Sequence, residues 1–89
     1  MVRVKKVLLD VLKPHQPDAL EFSKAIAEAG KDYKVCLTVT EMDENTQTLQ
    51  LDVEGNVVDF DAIEAVITKL GGSIHSIDQV VTLNEGSDG

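Results

Sequence analysis

From Val7 to Leu12 every residue is apolar except Asp10, and this run sits within a longer stretch rich in β-formers, residues 2–13. Side chains alternate across a strand, so a strand that is apolar at successive positions buries both of its faces. One row is Val7, Leu9 and Val11; the other is Leu8 and Leu12 around Asp10. A fold containing this strand must place it centrally and find cover for both rows. A carboxylate in such a strand must be solvated, paired or bound to something. Asp10 is therefore either a structural partner, for instance of a neighbouring subunit, or a ligand or metal residue.

The rest of the chain supplies the cover. Lys13-Pro14-His15-Gln16-Pro17 breaks the strand, with Pro17 suited to the first position of a helix and Asp18 to its first turn. Over residues 17–29, Ala19, Phe22, Ile26 and Ala29 recur at helical spacing, while Glu21, Lys24 and Glu28 fall on the other side and can pair. Gly30 is expected to end the helix as a left-handed cap. Tyr33, Val35, Leu37 and Val39 then alternate with Lys34, Cys36, Thr38 and Thr40, predicting a half-buried strand over 33–41. A polar link, Glu41 to Gln47, leads to a second alternating run over 48–54, and the two make an antiparallel hairpin. After Gly55-Asn56, Asp59 is placed to cap a helix over 60–70 whose buried stripe is Phe60, Ile63, Ile67 and Leu70. Gly71-Gly72 stops it, and residues 73–83 form the last strand. Residues 1–84 are thus one domain, followed by a flexible acidic tail, 85–89.

The order β-α-β-β-α-β predicts an α+β, ferredoxin-like sandwich: a four-stranded antiparallel sheet with two helices on one face. The other face is left open. In a monomer it would expose one apolar row of the first strand, and another copy of the chain is the simplest cover.

With 89 residues there is room for one core and no second. The chain is 43% hydrophobic but only 3% aromatic, so that core is aliphatic, with Phe22, Phe60 and Tyr33 as its only large rings. A formal net charge of −8 repels phosphate backbones and disfavours nucleic acid as a partner, while leaving carboxylates free for a divalent cation. A single cysteine, Cys36, excludes an intrachain disulfide and a multi-thiolate zinc site. No run approaches the roughly 18 apolar residues of a membrane span. The start, MVRVKKVLLDVLK, is interrupted by Asp10 and has no small-residue cleavage site, so it does not read as a signal peptide. A cytoplasmic location is expected.

Two motifs carry a family resemblance: Leu9-Asp10-Val11-Leu12-Lys13-Pro14-His15 with Pro17 following, and Gly71-Gly72-Ser73-Ile74-His75-Ser76-Ile77-Asp78-Gln79-Val80-Val81. With Val53-Glu54-Gly55 and Asp59-Phe60 between them, they resemble the archaeal family catalogued as domain of unknown function 211, over roughly residues 3–83. The resemblance implies a ferredoxin-like fold, ring-like homo-oligomers and, in some members, a divalent metal such as calcium. It implies no established activity. The acidic end after Val80-Val81 departs from the basic end expected for the family.

Few polar positions stand out as candidates for a site. Asp10, His15, His75 and Asp78 are the candidate ligand or interface residues. His75 and Asp78 lie three apart on a strand, so strict alternation places them on opposite faces unless the strand bulges. Glu41, Asp43 and Glu44 bunch at the hairpin and could offer oxygens to calcium or magnesium, although no EF-hand pattern is present and a solvated turn is the simpler reading. RNA-binding members of this fold stack bases on sheet-face aromatics, and the strands here carry only Tyr33. There is no Cys-x-x-Cys pair for a metal chaperone, no Gly-rich phosphate loop, and a sole arginine, Arg3, that precedes the apolar stretch. The expectation is a non-enzymatic homo-oligomer that binds a small molecule or cation between subunits. The alternatives are an interfacial enzyme using Asp10, His15 and His75 as acid or base, and a scaffold that only assembles.

Overall fold

Pro14, at the end of the first strand, is where the chain first turns back on itself in the computed structural model, which describes residues 1–86. The elements are β1 (Val2–Pro14), α1 (Ala19–Ala27), β2 (Lys34–Met42), β3 (Thr46–Glu54), α2 (Phe60–Lys69) and β4 (Ser73–Asn84). They form one antiparallel sheet in the order β2-β3-β1-β4, the α+β ferredoxin-like arrangement. β1 is central, as its double apolar character requires. Its odd row pairs apolar on apolar, Val7 with Val53, Leu9 with Leu51 and Val11 with Leu49, and all six are buried. Phe22 and Ile26 of α1 and Ile63 and Ile67 of α2 close this layer from one side.

The local chemistry departs from expectation at several points. Asp18 is the N-cap of α1, its carboxylate accepting the Glu21 N–H at 2.9 Å, so the helix starts at Ala19 rather than Pro17. A carboxylate outside the first turn satisfies a free N–H more directly than one within it. Gly30 is not a left-handed cap; Gly71, with φ of 88°, is the described glycine in that region. What requires glycine at position 30 is the Tyr33 ring, which lies where a Cβ would be. That ring is held in turn by its hydroxyl, which accepts the Asp59 N–H at 2.8 Å. Asp59 caps α2 as expected, through the Ala62 N–H at 3.1 Å. Phe60 is only half-buried, packed against the margin of the core, because it opens the helix rather than lying in its middle turns.

Helices of 9 and 10 residues span roughly 15 Å, whereas strands of 13 and 12 residues run roughly 40 Å. The molecule is accordingly long, 55 × 22 × 17 Å, and the β1–β4 ribbon outruns the helices. From His75 onward β4 is exposed at every described residue, with Ile77, Val80, Val81 and Leu83 among them. The expected open row on β1 is better covered: Leu8 and Leu12 are half-buried. A side chain on a central strand has cross-strand neighbours on both flanks, one on an edge strand only on one. The longest run of exposed apolar side chains therefore lies on the edge strand β4 and not in the Leu8 and Leu12 row of the central strand. At the far end Glu85 is not free; its N–H donates to the Met1 carbonyl at 2.7 Å and its carboxylate pairs with Arg3 and Lys5. The rest of the expected tail, residues 87–89, lies outside the described residues.

Candidate functional site

The sheet face turned away from the helices carries Lys6, Leu8, Asp10 and Leu12 of β1 and their neighbours. Asp10, half-buried there, stands between Gln50 of β3 and Ser76 of β4. Ser76 in turn donates its hydroxyl to Asp78 Oδ1 at 2.7 Å. The register between β1 and β4 explains this grouping. Leu8 pairs with Gln79 and Leu9 with Ile77, skipping Asp78; Asp10 pairs with Ser76 and Val11 with Ile74, skipping His75. His75 and Asp78 are therefore the extra residues of two β-bulges, and strict alternation does not govern them. Bulges re-aim side chains and increase local twist. Here one of them leaves Asp78 within reach of Ser76, directly beside the Asp10 position.

A second polar group gathers at the C-terminal end of β1. Lys13 is wholly buried, its ammonium donating to the carbonyls of Pro14 at 2.8 Å and Pro17 at 2.6 Å, with that of His15 at 3.5 Å. The Phe22 ring centroid is 5.8 Å from Nζ, a cation–π distance. Loss of water depresses the Lys13 pKa below its usual value, against an upward pull from Asp18. His15 is half-buried, and its Nε2 lies 2.8 Å from the Asp43 carbonyl, so in the arrangement that makes this bond Nε2 carries the proton.

Asp43 itself is spoken for on one oxygen. Its Oδ1 accepts the N–H of Asn45 at 3.2 Å and both the N–H and hydroxyl of Thr46, at 3.1 and 3.0 Å. These bonds, that from the Thr46 N–H foremost, hold its carboxyl below the usual range. β2 runs through Met42 and β3 starts at Thr46, so Glu41 lies within the strand and only Asp43, Glu44 and Asn45 make the turn. Among the described residues no three Asp, Glu, His or Cys side chains converge as a cation shell would require. Asp10 and Asp78 are brought near one another; Glu41, Asp43 and Glu44 are not gathered into a shell. His15 leans on the β2–β3 turn, while His75 stands on β4, the strand on the other flank of β1. Among the described residues no hydrogen bond joins the two imidazoles.

Sequence reasoning passed over one further feature. On the open face, Lys6, Lys34, Cys36, Asp52 and Glu54 line a shallow cleft of about 300 Å³. Its charges are matched internally, Lys6 with Asp52 at 3.3 Å and Lys34 with Glu54 at 3.9 Å. The signal was available as alternating charges on β2 and β3, but cross-strand pairing explains it without a ligand.

Comparison with known proteins agrees with the motifs. The model of the DUF211 family, described as uncharacterized ArCR, matches residues 5–85. An uncharacterized protein of Methanocaldococcus jannaschii is 40% identical over 78 residues, which are 88% of this chain and 80% of the relative.

Proposed function

This chain belongs to the archaeal DUF211 family, a family of unknown function, and from that premise we propose that it is a self-assembling, non-enzymatic cytoplasmic module that holds a small ligand or divalent cation between its copies. One observation carries the reading: β4 is an entire edge strand with apolar side chains bare on both faces, Ile77 at 51% and Val80 at 50% exposed on the helix side, Val81 and Leu83 on the other. An exposed patch of this kind on so small a domain marks an interaction surface. The two bulges oppose simple extension of the sheet from copy to copy, since they break the ladder of main-chain donors and acceptors that a new strand would need. Contact through side chains is the reading they favour.

The cation part follows from ligand counting. A hard divalent ion takes six to eight oxygens. The Asp10–Ser76–Asp78 group offers fewer, leaving positions for a second copy or for water to fill. The chain's formal net charge of −8 and an open sheet face short of aromatics speak against nucleic acid as a partner. Native mass spectrometry of protein purified without chelator tests both halves. A closed homo-oligomer larger than a dimer, retaining divalent metal or a small molecule, is the expected result. A monomer mass at micromolar concentration overturns the assembly, and an oligomer that gains no stability from any added ligand is a scaffold only.

A further inference from the structure

Lys13 differs from every other cation of the described residues in being fully removed from water. A buried ammonium ordinarily needs a carboxylate close by. Here Asp18 acts on the ammonium only through its charge, and the donors are met by main-chain oxygens, Pro14 and Pro17 at 2.8 and 2.6 Å and His15 more distantly, with the Phe22 ring beneath. The three carbonyls belong to the last residue of β1 and to the loop that leads from it to α1. An ammonium that draws several carbonyls of one loop toward a single point dictates how that loop folds. The loop carries His15, and His15 is bonded to the main chain of the β2–β3 turn. On its other side Pro14 packs against Gly71, in the turn between α2 and β4, closely enough that a Cβ there would touch its ring at 3.4 Å. Directly across the sheet from Lys13 stands Gln47, also buried, whose Oε1 has no hydrogen-bond partner among the described residues.

We propose that Lys13 is a latch: an internal cation in a cage of carbonyls that shapes the β1–α1 loop and, through His15, sets the placement of the acidic β2–β3 turn. The cage is a site for a primary alkylammonium that the protein fills with its own side chain. This holds whether or not copies assemble, so its test is separate from that of the proposed function.

Three measurements decide it. In the wild type, the Lys13 Nζ protons exchange slowly with water and show couplings across hydrogen bonds to the Pro14 and Pro17 carbonyl carbons; their absence overturns the cage. In Lys13→Met, which keeps the packing and removes the charge, the His15 ring resonances move and the Thr46 amide exchanges about tenfold faster, the loss of one hydrogen bond. A folded Lys13→Met chain with an unmoved turn overturns the coupling. In Lys13→Ala, millimolar propylammonium restores both signals, since propylamine supplies the three methylenes and nitrogen removed. Propanol and sodium chloride do not. Equal rescue by propanol makes Lys13 a packing residue and overturns the charge-based latch. Should both Lys13 variants fail to fold, His15→Ala in the wild-type background reads the same coupling: faster exchange at Thr46 supports it, and unchanged exchange overturns it.

Discussion

Phe22 and Phe60 show how much a position within a helix decides about an aromatic residue. Both sit on apolar stripes, yet Phe22 is fully buried under α1 and Phe60 is half-buried at the first residue of α2. Phe22→Ala should cost about 3–5 kcal/mol, from lost transfer energy plus the cavity left behind. Phe60→Ala should cost distinctly less, and urea denaturation of the two variants checks the order. Two titrating residues give stability a pH dependence of opposite origin. The Lys13 pKa is lowered on folding from a usual value of 10.5, so between the lowered value and 10.5 the unfolded chain binds more protons. Stability attributable to Lys13 therefore rises with pH across that window. Asp43 is also lowered, from 3.8, but as an acid it contributes stability above that value and loses it as the pH falls through its folded pKa. Denaturation midpoints measured against pH should show both slopes, the alkaline one absent from Lys13→Met and the acid one reduced in Asp43→Asn.

Among the elements, β4 was the one whose periodicity was least regular, and the bulges explain why. Two extra residues, His75 and Asp78, shift the register against β1, so the apolar residues Ile74, Ile77 and Val80 recur every third position rather than every second. Spacing of that kind reads poorly as a strand of strict alternation. In the fold it lets all three share the helix side while Ser76 and Gln79 stay on the other. If assembly runs through this strand, Ile77→Lys with Val80→Lys should yield a folded species of lower mass by light scattering. Both positions are exposed in the single chain, so the melting curve of that species should remain cooperative. An oligomer of unchanged mass would place the interface elsewhere.

For the molecule as a whole, the charge of −8 is compatible with solubility alone, and calcium distinguishes that from a site. Millimolar calcium should raise the melting temperature more than sodium chloride at matched ionic strength, because screening acts for both salts and site binding for one. Mass action sets the size, about 2.7 kcal/mol at a hundredfold excess over the dissociation constant. Asp10→Asn with Asp78→Asn should abolish the calcium-specific part if the open sheet face holds the ion. Asp43→Asn with Glu44→Gln should abolish it if the hairpin does. A wild type with no calcium-specific shift removes the cation from the proposed function.

Local patterns were enough to read the six elements, their order and the buried rows of Val7, Leu9, Val11, Leu49, Leu51 and Val53, because alternation and helical spacing are properties of a few neighbouring residues. Capping by Asp59 was legible for the same reason. Which residues meet across the sheet was not. The grouping of Asp10, Ser76 and Asp78 depends on two bulges that only pairing with β1 reveals. The burial of Lys13, a residue type seldom found fully buried, depends on carbonyls that converge only once the loop has closed over it. The run of exposed apolar residues lies on β4 rather than in the Leu8 and Leu12 row of β1 because shielding is decided by the number of neighbouring strands, and that number is a property of the assembled sheet.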